Sequence, residues 1–485
     1  MKLKLFKKFL FKEAIFPWIL ILIGVILSYQ NYSPSTYLSG WDTIHPEFNM
    51  GDYFKRILSV WQQHQGLGAV AAQAHASELP RMIIYFLLSL FLPPEVLRYV
   101  FLFICLIIGP LGVYFFIKKV VLEHQENYLS KEIISFLGGL LYLLNLATLQ
   151  LFFVPLEMFE IHYATLGWIF LFATRYIQTS RKKYLFLFIP TIILSGSMAH
   201  TPTLFYIFFL IFFIYLTTFI FYNRAFFKKS LLIVLLTILL NLYWILPNLY
   251  FVKNYGGDVT NSKIHSEFSD RAFQVGRNFG NIRDSALLKN FLFDWGQYDG
   301  KTGSFFLLLG DWETHLKNPR VSLIGIVIFL FVLIGLIYGL RRRNKIAFSF
   351  LPVFLITFFF IANDNPLFVG ITTFLEKISP VIKETLRFPF TKFSILLLFS
   401  FCVYFSLGIY FLINLFKNNL YSKLAILLTF SILLIYFMLP VFKGNLFDPK
   451  LKVKIPSEYF QTFKYFDTQD PNSRVASFPV NSFWG

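Results

Sequence analysis

Charge is scarce in this chain of 485 residues: Asp, Glu, Lys and Arg together make up 14% of it, while 56% is apolar. Soluble domains carry about a quarter charged residues, so the composition excludes an ordinary soluble globular fold. Cysteine is nearly missing. Cys105 and Cys402 each lie inside an apolar run, which leaves no disulfide framework and reads as two small buried hydrophobes. Glycines are scattered without a dinucleotide fingerprint, and neither an internal repeat nor a low-complexity tract is present. Acids are outnumbered, 26 against 44 Lys and Arg. The most telling absence is in the centres of the apolar runs, which contain no Asp, Glu, Lys or Arg. Ion-coupled transporters place ionisable groups at that depth, because coupling happens there.

What is present is a series of long apolar runs, such as "AIFPWILILIGVIL" and "SLIGIVIFLFVLIGLIYGL". At about 1.5 Å per residue such runs cross roughly 30 Å of hydrocarbon. The pattern predicts an all-α polytopic membrane protein with about eleven spans. They fall near 14–30, 96–117, 132–154, 161–178, 184–199, 202–222, 230–251, 321–340, 346–361, 391–416 and 424–441. The basic start "MKLKLFKKFLFK" reads as the cytoplasmic flank of a signal anchor. That start and the alternate short loops hold 21 of the 44 Lys and Arg but only 4 of the 26 acids. By the positive-inside rule those loops face the cytoplasm, and the net charge of +18 is a topology signal that needs no nucleic acid. The expected location is the plasma (inner) membrane.

Two outer segments are long, 31–95 and 252–319. Within the first, "RMIIYFLLSLFL" (81–92) is too short to span and reads as a half-helix or membrane-lying helix ended by Pro93 and Pro94. The stretch 49–64 reads as an interfacial helix, with Phe54, Ile57, Leu58 and Trp61 on one face. Residues 1–441 are expected to form the membrane module. Residues 442–485 read as the start of an outer soluble domain, a helix and then a beginning strand, in a chain that stops early.

Polar groups gather on the outer side, as a reaction on a lipid-tethered substrate requires. In "SGWDTIHPEFNMGDYFKR" (39–56), Asp42 is placed to act as a general base towards a sugar hydroxyl or to sit beside a cation. A solvated turn suits Asp42 equally well, and Asp52, Lys55 and Arg56 suit the wet face of a helix. Arg81 is placed either to pair a lipid phosphate or to snorkel. In "EMFEIHY", Glu157 and Glu160 share a helical face beside His162, a set able to hold Mg²⁺ or Mn²⁺ and equally suited to interfacial capping. His200 in "MAHTP" sits at a turn. Arg387 and Lys392 in "LRFPFTKF" straddle a proline-broken entry into a span, as phosphate binders or as headgroup anchors.

The succession of a basic N-terminus, one span, a long first outer loop with an early Asp, and about ten further spans resembles the GT-C superfamily of membrane glycosyltransferases. "SGWD", "HPEFN" and "QGLGAVAAQAHASELPR" resemble the first loop of its bacterial arabinofuranosyltransferase-like branch. "LRFPFTKF" is similar to that branch's Arg-x-Pro-x-x-Lys-Phe segment, and "RVASFPVNSFWG" to the opening of its outer domain. The resemblance implies a GT-C-like bundle that moves a sugar, with inversion, from a polyprenyl-phosphate donor to a cell-envelope glycan, lipid or protein acceptor on the outer face. It implies Asp42 as the base or metal-proximal acid and Glu157 or Glu160 as a second acid. His45, Glu47, Arg81, His200, Arg387 and Lys392 become candidate substrate-binding residues, and Glu157, Glu160 and His162 candidate ligands of a divalent cation. The first loop has no Asp-x-Asp or Asp-Asp pair. A transporter or flippase of lipid-linked saccharides, or an envelope-assembly scaffold, is the competing reading.

Overall fold

The computed structural model describes residues 15–41, 44–63, 69–70, 75–261, 278–300, 302–378, 380–416, 419–470 and 473. Its main elements follow in chain order. Helix α1 (Ile15–Asn31) leads into a short strand β1 (Tyr37–Leu38) and helices α2 (Met50–Leu58) and α3 (Leu79–Ser89). Then come α4 (Pro94–Phe116), α5 (Tyr128–Leu143), α6 (Glu157–Thr179), α7 (Pro202–Tyr222), α8 (Phe227–Leu239) and α9 (Leu242–Thr260). A hairpin of β2 (Gly296–Asp299) and β3 (Ser304–Leu307) precedes α10 (Pro319–Arg341), α11 (Lys345–Ile361), α12 (Pro389–Leu415) and α13 (Leu420–Phe437). Strand β4 (Lys452–Val453) and helix α14 (Ser457–Asp467) follow.

The helix boundaries have local causes. Pro stands in the first turn of α4, α7, α10 and α12, where its missing N–H costs nothing. The Asn127 side chain accepts from the Ser130 N–H at the start of α5, and Asn344 caps α11 in the same way.

Among the described residues six helices are long and apolar enough to cross a bilayer: Pro94–Val121, Tyr128–Phe153, Pro202–Tyr222, Pro319–Arg341, Pro389–Leu415 and Leu420–Phe437. Helices α8 and α9 would make a seventh as one span, but they are bent by 68° at their junction. The protein is an all-α, multi-pass membrane protein. The expected eleven spans are not all of that kind. The stretch near 184–199 is a 14-residue helix ending at Ser195, about 21 Å long. The run 230–251 is broken at Asn241, whose side chain turns back to the Thr237 carbonyl and takes the Trp244 indole N–H. Helices α1 and α11 have 17 residues each, short of a full crossing.

Close helix approach is bought with small residues. A Cβ on Gly335 of α10 would collide with the Tyr404 carbonyl of α12, and one on Gly408 with the Phe331 carbonyl. A Cβ on Gly167 of α6 would lie 2.7 Å from the backbone of Gly112 in α4.

Helices α4 and α6 run parallel, which separates two ion clusters. Arg98 and Glu157 pair at the start of both helices. Some 20 residues later, about 30 Å along, Lys118 pairs with Glu132 and Arg175 with Glu123.

The outer segments differ in detail from the sequence reading. Helix α2 has nine residues and buries Tyr53 and Ile57, while Leu58 and Trp61 are exposed. The chain leaves the helix at Ser59, so the i+7 partner never forms. Helix α3 has 11 residues, about 16 Å, too short to cross. The tail is helical at α14, and the strand expected from Arg474 onward lies outside the described residues. The start of the tail is knit into the first outer segment: β4 pairs antiparallel with β1, and Asp448 donates its N–H to the Phe153 carbonyl at 2.9 Å.

Candidate functional site

Two short turns and three helix starts build a charged cluster at the Glu157 end of the bundle. A turn at His75–Glu78 delivers Glu78, and α3, which follows directly, carries Arg81 one turn later. The first turn of α4 supplies Arg98, and α6 begins with Glu157. A turn at Gly196–His200 ends in His200. Glu78, Arg81, Arg98 and Glu157 are all buried.

Glu157 is the hub. Its Oε1 lies 3.1 Å from Nη1 of Arg81 and 2.9 Å from Nε of Arg98, and the Tyr85 hydroxyl donates to it at 3.4 Å. The second arm of Arg81 pairs with Glu78, whose other oxygen lies 3.8 Å from Nδ1 of His200. Burial alone would lower the Arg81 guanidinium, but Glu78 and Glu157 outweigh it and raise it well above its ordinary value. Burial pushes Tyr53, which faces the same cluster, up to about 12. Arg98 also donates to the carbonyls of Leu38, at 3.0 Å, and Pro155, at 3.1 Å. One guanidinium thus fastens β1 and the start of α6 together. Arg81, Glu78, Glu157 and His200, with Ile44, Tyr53, Leu156 and Met158, line a small open pocket.

The candidate residues fall into distinct places. Asp42 lies outside the described residues; Trp41 before it and Ile44 after it are described, and Ile44 lines the pocket. His45 and Glu47 meet in the next turn, Nδ1 to Oε1 at 2.7 Å, with Glu47 buried. Arg81 and His200 do line the pocket, but Arg81 spends its fork on Glu78 and Glu157. Lys392, expected at a phosphate, donates to the carbonyls of Arg387 and Phe388 and so ties down the turn before α12. Arg387 lies 3.6 Å from Glu384.

The expected metal set does not come together. Glu157 faces two guanidiniums, Glu160 accepts from the Leu156 N–H at 3.2 Å, and the His162 ring packs edge-on against Phe208 at 5.7 Å. The spacing that put Glu157 and Glu160 on one face could not reveal that cations already occupy it. Among the described residues no three His, Cys, Asp or Glu gather as metal ligands.

A row of rings joins the first outer segment to the "LRFPFTKF" turn. Trp41 meets Trp295 at 5.0 Å, Trp295 meets Phe291 at 6.2 Å, and Phe291 meets Phe388 at 5.0 Å. Phe388 holds φ of 53°, a left-handed backbone that is strained for an aromatic residue. Arg98, Glu78 and Trp295 had no assigned role in the sequence reading. Arg98 left one signal, since a cation just inside an apolar run implies a buried partner.

No family model and no curated protein matches the chain. Among solved structures it is similar to the archaeal oligosaccharyltransferase AglB from Archaeoglobus fulgidus in complex with an inhibitory peptide and a dolichol-phosphate. The TM-score is 0.44 at 13% identity, covering 95% of this chain and 59% of that one. A second structure, the Archaeoglobus fulgidus oligosaccharyltransferase in the apo form, gives 0.44 at 14% over the same shares. The chain thus spans about three fifths of the length of the enzyme it is similar to.

Proposed function

We propose that this protein is a membrane glycosyltransferase that moves a sugar from a polyprenyl-phosphate donor to a cell-envelope glycan, lipid or protein acceptor. The observation that carries this reading is the meeting of Glu78, Arg81, Glu157 and His200 around one pocket at one end of the helices, with Ile44, two residues after Asp42 in the chain, in its lining. The opposite end holds the basic loops expected inside, which supports a pocket on the outer side. A lipid-linked donor keeps its tail among the helices and its phosphosugar at this pocket. Asp42 draws the proton from the acceptor hydroxyl as the oxygen attacks the anomeric carbon, and the lipid phosphate leaves from the other face. A phosphate leaving group needs little protonation, so one carboxylate suffices.

The test is Asp42→Asn in a deletion strain, with envelope glycans and lipid-linked sugars followed by mass spectrometry. Transfer should fall by at least ~10²-fold while membrane insertion and donor binding persist. Asp52→Asn, on the exposed face of α2, should cost little. A well-expressed Asp42→Asn protein with full transfer would refute the role, and the transporter or scaffold reading would take its place.

A further inference from the structure

The Trp41–Trp295 contact is unlike the protein's other tryptophan contacts. Trp168, Trp244 and Trp312 each give the indole N–H to a protein acceptor, at 3.0, 2.8 and 3.1 Å. That is the usual arrangement for a packed indole. Trp41 and Trp295 are half-buried, and among the described residues neither indole N–H reaches a protein acceptor. They come from two different outer segments and stand at an interplanar angle of 35°. Asp294, the residue before Trp295, is exposed and accepts from the Asn278 amide at 3.3 Å.

Two half-buried indoles with N–H groups that no described residue accepts, beside a chain-adjacent carboxylate and its amide partner, match the chemistry of a sugar. One face of a sugar ring is lined by C–H groups, which the negative π-face of an indole attracts. Its rim carries hydroxyls, which suit indole N–H, carboxylate and amide groups as partners. A phosphate is disfavoured there, because Asp294 would repel it.

We propose that Trp41 and Trp295, with Asp294 and Asn278 at their edge, form a stacking subsite for a neutral saccharide, the acceptor of the transfer. The proposal rests on the glycosyltransferase reading for the word acceptor, though not for the subsite. In the chain Trp41 immediately precedes Asp42, the residue assigned as base.

The experiment uses the full chain in lipid nanodiscs and saturation-transfer NMR. The probes are the methyl glycosides of glucose, galactose, mannose, N-acetylglucosamine and arabinofuranose. At least one should bind, with the strongest transfer to the C–H protons of one ring face. Trp41→Ala and Trp295→Ala should each weaken it about tenfold, the upper range for a single ring contact. Asp294→Asn, at an exposed position, should weaken it without touching the fold. Trp295→Phe keeps a ring against Phe291 and should give an intermediate loss. Trp18→Ala, on the lipid-facing side of α1, should change nothing. Failure of every glycoside to bind, or binding indifferent to all three subsite changes, overturns the proposal. Glycoside binding by a wild-type protein that transfers no sugar would sink the enzyme reading and leave the subsite standing. Transfer with an acceptor KM unmoved by Trp295→Ala and Asp294→Asn would do the reverse.

Discussion

Glu157→Gln removes the one charge that stands between two buried guanidiniums. Breaking a buried ion pair by removing one partner costs about 3–5 kcal/mol, because the other charge stays buried and uncompensated. Here the lower end applies. Arg81 keeps Glu78, and Arg98 keeps the carbonyls of Leu38 and Pro155. A loss of about 3 kcal/mol is roughly a hundredfold in the unfolding equilibrium. It should be read as reversible unfolding of the purified protein in detergent, by urea or heat. The double variant Arg98→Met with Glu157→Leu removes both charges but strands the Leu38 and Pro155 carbonyls, so it should recover only part of the loss. Arg98→Lys should fall between, since an ammonium cannot reach Glu157 and two carbonyls in one plane. A Glu157→Gln protein within about 0.5 kcal/mol of wild type, the range of inert surface changes, would refute the claim that charge holds this cluster together.

Three further outcomes are expected. Cysteines introduced at Ser262 and Arg343 should label from opposite sides with an impermeant thiol reagent; labelling of both from outside would overturn the orientation. Lys392→Met should loosen the turn at Phe388 and lower stability by about 1 kcal/mol, the net worth of hydrogen bonds to part-buried carbonyls. If stability holds and only donor-lipid binding drops, the lysine serves a phosphate after all. Gly335→Leu should prevent α10 from seating on α12, seen as a collapse of folded yield that a second-site change at Gly408 cannot restore, because glycine is already the smallest choice there.

Much of the architecture was legible because hydrophobic length and loop charge are one-dimensional signals. The run 321–340 became α10 almost residue for residue, and the short segment after Arg81 stayed a half-helix. The span count was less legible. Nothing in "LLTILLNLYWILP" shows that Asn241 will turn back on its own helix and break the run. The site was half legible. Arg81, Glu157 and His200 were picked out singly, and they do share a pocket, but their roles depend on partners that the sequence keeps far apart. Glu157 resembled a metal ligand until Arg98, in another helix, occupied it. Trp295 gave no sign at all, since its meaning comes from Trp41 across a loop.

The pairing of β1 with β4 also sets when the first outer segment can be clasped. Asn31, at the end of the first helix, bonds to the Val441 carbonyl 410 residues later, and Tyr37 pairs with Val453 beyond it. At about 5–20 residues synthesised per second, the first outer segment waits roughly 20–80 s for its partner strand. Through that interval the intervening helices are made while the first outer segment lies unclasped. A nascent protein arrested before Val453 therefore carries its first outer segment without the strand that clasps it.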